Sequence, residues 1–102
     1  DRRAVQSRVV GVARPVEERG QVIAIKPGAT IGRRDADIRF DDRKMSRRHA
    51  SIDYDEDGVS VFDFGTSNGT YVNDAHINGR MSIVENDTIR MGQHLFVLKI
   101  LV

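Results

Sequence analysis

The chain has 102 residues, 39% of them hydrophobic, with no cysteine and no tryptophan, which suits one compact domain that folds without disulfides and leaves no room for a second. Its formal net charge of +1 excludes a strong whole-molecule attraction to nucleic acid or membrane, but the charges are unevenly placed: seven basic residues stand against four acids from Arg33 to Arg48, and five acids with no base occupy Asp53 to Asp63. No apolar stretch approaches the ~20 residues that span a bilayer, and the absence of cysteine fits a reducing, cytoplasmic compartment.

The N-terminus Asp1-Arg2-Arg3 carries neither an initiator Met nor an apolar signal core, so the sequence reads as a domain cut from a longer protein. Residues 1–7 are polar and without period and are expected to be linker, with the folded domain over residues 8–102. Strands are predicted in chain order over Arg8 to Ala13, Gln21 to Lys26, Ala50 to Tyr54, Gly58 to Asp63, Thr70 to Val72, Thr88 to Met91 and Leu95 to Leu101. Turn formers separate them, among them Lys26-Pro27-Gly28, Glu56-Asp57-Gly58, Asn78-Gly79 and Met91-Gly92-Gln93. No window shows a sustained helical period. The expected architecture is an all-β sandwich of two antiparallel sheets, with Val9, Val22, Ile23, Ile25, Ile31, Ile38, Phe40, Ile52, Val59, Val61, Phe62, Ile89, Phe96 and Leu98 as its core.

Three segments concentrate polar side chains beside glycine beyond what such a fold requires: Gly32-Arg33, Ser46-Arg47-Arg48-His49, and Ser67-Asn68-Gly69-Thr70-Tyr71-Val72-Asn73. An arginine fork, two hydroxyls, an asparagine amide and loop N–H groups make the donor set a tetrahedral dianion wants, because phosphate offers only acceptors. The nucleotide-phosphate motif Gly-x-x-x-x-Gly-Lys-Ser/Thr is absent and no glycine loop opens a helix, which favours a phosphorylated side chain as ligand.

Rival motifs fall on their context. Gly65-Thr66-Ser67-Asn68-Gly69 matches the hydrolase nucleophile elbow in letters, but that elbow leads into a helix, whereas Thr70-Tyr71-Val72 continues as strand, so no enzyme and no catalytic residue is expected. Asp53-Tyr54-Asp55-Glu56-Asp57-Gly58 imitates the start of an EF-hand loop, yet its twelfth position is Phe64 where a glutamate is needed, so it reads as an acidic hairpin turn. Neither a metal nor a cofactor is expected. The sequons Asn68-Gly69-Thr70 and Asn86-Asp87-Thr88 read as chance matches, since nothing else points to secretion.

Taken together, Ile31-Gly32-Arg33, Ser46-Arg47-Arg48-His49 and Asp63-Phe64-Gly65-Thr66-Ser67-Asn68-Gly69-Thr70-Tyr71-Val72-Asn73 closely resemble the signature of forkhead-associated (FHA) domains, and the resemblance runs from about Val9 to Leu101. The resemblance implies an eleven-stranded sandwich whose loops at one end bind a phosphothreonine peptide in extended form. By position in the motif, Arg33 pairs with the phosphate, Ser46 and Arg47 donate to it, and Ser67 adds a further donor. Asn68 and Asn73 are implied to bond the peptide main chain, Asn73 also bracing the loops, and the threonine methyl is implied to enter a small pocket near these two asparagines. Gly32, His49 and Gly69 are implied to be structural, and Lys44 stands where the family often senses the residue three places after the phosphothreonine. Asn86 departs from the pattern, standing where the family usually has glycine. Asn tolerates left-handed backbone better than other non-glycine residues, so the turn is expected to survive.

Each residue has a blander reading. A lone arginine at a strand end is ordinarily a solvated charge, and only its place in the full pattern lifts Arg33 above that. Arg34, Arg43, Arg48 and Arg80 are read as solvated, and His49 as a satisfied, half-buried histidine. The expected partner is a threonine-phosphorylated protein, and neither nucleic acid nor membrane. Two alternatives stay open: nonspecific nucleic-acid binding through the Arg33 to Arg48 strip, which leaves the Ser67 to Asn73 loop unexplained, and a phosphate-independent scaffold, against which the retention of Arg33, Ser46, Ser67 and Asn68 argues.

Overall fold

The computed structural model describes residues 8–13 and 21–100, so the expected linker over residues 1–7 lies outside the described residues, as do the side chains of Val9 and Val22. Among the described residues eleven strands form in order: β1 Arg8–Ala13, β2 Gln21–Ala24, β3 Ala29–Gly32, β4 Ile38–Arg39, β5 Ala50–Asp55, β6 Gly58–Asp63, β7 Thr70–Val72, β8 Ala75–His76, β9 Arg80–Ile83, β10 Thr88–Met91 and β11 His94–Ile100. They make a six-stranded sheet of order β2-β1-β11-β10-β7-β8 and a five-stranded sheet of order β4-β3-β5-β6-β9. Among the described residues no helix is long and apolar enough to cross a membrane.

The alternation of side chains decides which face is inside. Along β5, Ala50, Ile52 and Tyr54 are buried while Asp53 and Asp55 are exposed. On its partner β6, Val59, Val61 and Asp63 are buried, with Ile52 opposite Val61 and Tyr54 opposite Val59. The other sheet answers with Val72, Ile89, Met91, Phe96 and Leu98, Ile89 lying opposite both Val72 and Phe96. The period of two also corrects one expectation: Phe62 is out of phase with its buried neighbours, is only half-buried, and lies under the Arg80 guanidinium at 5.3 Å. Met45, Ile77 and Ile83 join the core instead; the first two come from loops that carry no strand pattern.

Four strands fall outside the seven predicted runs. β4 and β8 span two residues each, too short for a period, and β9 shows an exposed, unpatterned face over Arg80, Met81 and Ser82. β3 begins right after the Pro27-Gly28 turn, which also ends the expected second run at Ala24. The antiparallel expectation has one exception: β3 and β4 pair in parallel, Ile31 with Ile38 and Gly32 with Arg39. Parallel neighbours usually need a long crossover. Here residues 33–37 curl back, held by Asp37, which accepts from the N–H and hydroxyl of Thr30 at 3.0 and 3.2 Å while its own N–H donates to the Thr30 hydroxyl at 2.9 Å. That curl carries Arg33 to the end of the sandwich.

The Asn86 turn forms as expected, with φ of 77° and the Asn86 N–H donating to Leu98 O at 2.8 Å. Because a Cβ in left-handed backbone costs about 1–2 kcal/mol without the compensation an Asn side chain finds locally, Asn86→Ala should lower stability by about that amount. Asn86→Gly should stay within about 0.5 kcal/mol of wild type; denaturant unfolding of both variants checks the sign difference.

Candidate functional site

At one end of the sandwich three loops meet: residues 33–37 after β3, residues 40–49 after β4, and residues 64–69 after β6. Their junction is His49, which is fully buried rather than half-buried. The Ser46 N–H donates to its Nδ1 at 2.9 Å, so that nitrogen must be bare, and the proton belongs on Nε2, which donates to Gly69 O at 2.9 Å. Each ring nitrogen thus ties a different loop. The His49 backbone adds a third tie, its N–H donating to Ile31 O at 2.8 Å and its carbonyl accepting from Phe64 N–H at 3.1 Å.

The loop after β6 is shaped by Asp63. One carboxylate oxygen accepts from the N–H groups of Gly65 and Thr66 at 2.8 and 3.0 Å, and the other from the hydroxyls of Thr66 and Thr70 at 2.8 and 2.7 Å. The Thr66 hydroxyl, having given its proton to Asp63, accepts from Gly69 N–H at 3.1 Å, which closes the turn on which Ser67 and Asn68 stand. Burial pushes the Asp63 pKa up, but the bonds from the Thr70 hydroxyl, the Thr66 N–H and hydroxyl, and the Gly65 N–H outweigh it and hold the carboxyl below its ordinary 3.8.

Asp42 does the same for the loop after β4. It accepts from Lys44 N–H at 2.9 Å, from Gln93 N–H at 2.7 Å and pairs with His94 Nδ1 at 2.8 Å, which pins this loop to the β10–β11 turn. Burial again raises its pKa, and the His94 bond together with the Gln93 and Lys44 N–H groups brings it below the ordinary range. The His94 ring is wedged against Phe40 at 4.5 Å between centroids.

On this frame lie the residues singled out from the sequence. Arg33 is half-buried; its N–H donates to Ser46 O at 2.9 Å and its Nε to Met45 O at 3.2 Å, so both its backbone and its stem are fixed to the neighbouring loop. Its terminal nitrogens, and the hydroxyls of Ser46 and Ser67, make no hydrogen bond with the described residues. Asn68 donates to Lys44 O at 2.8 Å, joining two loops, while Lys44 itself is exposed. Arg47 is exposed and faces Asp35 at 3.5 Å.

Asn73 stands apart from this group: its amide donates to Asp87 at 3.0 Å and accepts from Thr88 N–H at 3.0 Å, bracing the turn after β7 at φ of 49°. Gly32 permits the closest approach in the site, since a Cβ there would lie 2.2 Å from Arg47 O. Gly69 takes φ of +79°, and a Cβ there would meet the His76 ring at 2.6 Å.

Asp42 and His94 lie outside the motif segments, and Asp63, Thr66 and Thr70, although inside them, carry no role of their own in the sequence reading. Asp63 had a readable signal, an Asp followed at two and three residues by Gly65 and Thr66, the pattern of a carboxylate that caps its own loop. Asp42 had none, because its partners Gln93 and His94 are some 50 residues away in sequence.

A family model for the FHA domain matches residues 29–92, and the chain belongs to this family. It is 38% identical over 73 residues to the oxoglutarate dehydrogenase inhibitor of Corynebacterium efficiens, covering 71% of this chain and 51% of that protein. It is 32% identical over 82 residues to the FHA domain-containing protein FhaA of Mycobacterium tuberculosis, covering 78% of this chain and 15% of that protein. The chain thus spans about half the length of the corynebacterial relative. Among solved structures, the fold matches an FHA domain described for phosphothreonine-dependent interactions with a TM-score of 0.81 at 28% identity, over 94% of this chain and 98% of that one. It matches the FHA domain of a Chlamydia trachomatis protein with a TM-score of 0.84 at 26% identity, over 93% and 98% of the two chains.

Because Asp63 and Asp42 have carboxyls held below their ordinary value, the stability they contribute is present above that value and is lost as pH falls through their folded pKa values. Asp63→Asn, which turns an amide NH2 toward two of the four donors, should lower stability at neutral pH by about 1–3 kcal/mol and flatten the acid limb of the pH–stability curve. Thermal melts of both proteins from neutral pH to about pH 2 check this; an unchanged acid limb would remove Asp63 from the account.

Proposed function

We propose that this FHA domain is a binding module, not an enzyme, that captures phosphothreonine in an extended peptide and so joins its parent protein to a threonine-phosphorylated partner. The observation that carries this reading is the contrast within the site: the Arg33 and Ser46 backbones are tied between loops, Asn68 is held by its side-chain amide on Lys44 O, and Ser67 stands on the turn closed by the Gly69 N–H and the Thr66 hydroxyl, yet the guanidinium end and both serine hydroxyls keep their donors for something outside the chain. A fixed frame with open donors suits an acceptor-only dianion, because little entropy remains to be lost on binding.

In this reading Arg33 supplies the counter-charge, Ser46, Arg47 and Ser67 donate to the phosphate oxygens, and the Asn68 amide oxygen takes a peptide N–H while its nitrogen stays on Lys44 O. Gly32 and His49 hold the loops at the spacing the ligand needs. The likeness to a domain described for phosphothreonine-dependent interactions supports the choice of residue. The same reading places the domain, residues 8–102, in a cytoplasmic protein, where kinases write such marks.

A charge-assisted pair contributes about 1.5–3 kcal/mol, so Arg33→Ala should weaken phosphothreonine-peptide binding by more than about tenfold with an unchanged melt, and Ser46→Ala and Ser67→Ala by less. Calorimetric titration with matched phosphothreonine, phosphoserine and unphosphorylated peptides tests the reading. Phosphothreonine should bind best; equal binding of the unphosphorylated peptide, or an Arg33→Ala protein within about threefold of wild type, would overturn it.

A further inference from the structure

Beside the phosphate site, and sharing Arg33 with it, lies an open pocket of about 470 Å³ lined by Arg33, Arg34, Arg39, Phe40, Asp41 and Arg43. Its volume falls in the range of ligand sites, roughly 300–1,000 Å³. Four arginines against one aspartate leave three positive charges around it. The other acids of the basic strip do not help, because each is engaged elsewhere: Asp35 with Arg47 at 3.5 Å, Asp37 with the Thr30 N–H and hydroxyl, and buried Asp42 with His94 and two backbone N–H groups. Among the described residues no carboxylate forms an ion pair with Arg34, Arg39 or Arg43.

The walls are also fixed. Arg39 is in register with Gly32, the Phe40 N–H donates to Gly32 O at 3.0 Å, and the Arg34 N–H donates to Arg47 O at 3.0 Å. Phe40 packs on the rings of His94 and Phe96, giving the pocket an apolar wall that cannot fold away. A concave set of unpaired guanidinium groups on a rigid backbone repels itself, and an anion of more than one charge relieves that repulsion.

We propose that this pocket is a second anion site, filled by a second phosphorylated side chain on the same peptide whose phosphothreonine docks at Arg33. The inference rests on the function proposed above. A phosphate dianion fits better than a carboxylate, since with Arg33 engaged by the phosphothreonine it matches the two positive charges that Arg34, Arg39 and Arg43 leave over Asp41, and it offers three acceptor oxygens to forked donors. The domain then reads doubly phosphorylated segments in preference to singly phosphorylated ones, and the second contact, being intramolecular once the first is made, adds strongly to the affinity.

The test is fluorescence-anisotropy titration of the whole chain with a phosphothreonine peptide into which a second phosphoresidue, or a glutamate, is placed in turn within about six residues on either side, a span of ~20 Å in extended form. At one or more positions the second phosphate should tighten binding about tenfold or more, glutamate at the same position by less than about threefold, and the gain should shrink as salt rises. Arg39→Ala with Arg43→Ala, both exposed, should abolish the gain while leaving the singly phosphorylated peptide within about threefold of wild type, and Asp41→Asn should enlarge it. The proposal is overturned if no position gives a gain, or if the gain survives the double variant. An equal gain from glutamate overturns the phosphate assignment and leaves a pocket for acidic residues. Failure of the singly phosphorylated peptide to bind at all would sink the function on which the inference rests, and the pocket's role with it.

Discussion

A neutral imidazole with one bare and one protonated nitrogen, buried where three loops meet, is the interaction on which the rest of this site depends. His49 can hold Ser46 N–H and Gly69 C=O at 2.9 Å each only in that form, because a second ring proton would point at a backbone donor. The positions of the other residues follow from it. Ser46, once fixed, accepts from the Arg33 N–H; Gly69 closes the turn that presents Ser67 and Asn68; and Asn68 reaches back to Lys44 O in the loop where Ser46 began. The circuit is made almost wholly of backbone groups, with side chains as clips, so its geometry is stiff while the outward donors remain open.

The acids of the chain are divided by the same logic. Asp42 and Asp63 turn inward and use their oxygens on backbone N–H groups, hydroxyls and one histidine, giving shape to the two longest loops of the site. The acids Asp53 and Asp55 are exposed in the second half of β5 and Asp57 in the β5–β6 turn, about 13 to 20 Å or more along the strand from His49. Among the described residues the basic strip Arg33 to Arg48 and the acids Asp53 to Asp57 thus lie apart, although the net charge is close to neutral. Such a distribution orients an anionic peptide during encounter without making the whole domain adhere to polyanions.

What the sequence discloses and what it hides can be traced to chain distance. Strands with three or more residues and a clean period of two, such as Gly58–Asp63 and Thr88–Met91, were legible to the residue. Two-residue strands were not, nor was the parallel β3–β4 pair, which depends on Asp37 folding back onto Thr30. Arg33, Ser46, Ser67 and Asn68 stand out in the sequence as one candidate group because chemistry and motif spacing agree on them, and the structure joins the loops that carry them. Asp42 and His94 were hidden because their pairing spans 52 residues and leaves no local pattern. Phe62 was misplaced because a large apolar residue in a strand invites a core reading that its phase refutes.

If Arg33, Ser46, Ser67 and Asn68 form one receptor held by His49, amide chemical-shift mapping shows it most directly. On titration of the labelled chain with a phosphothreonine peptide, the largest shifts should fall on residues 33–35, 44–49 and 66–69, with the β5–β6 turn unmoved. In a His49→Ala protein that still folds, the same residues should lose their shared response and the peptide its affinity. Shifts centred on Asp53 to Asp57 or on the outer face of β9, or an undiminished response without His49, would contradict it.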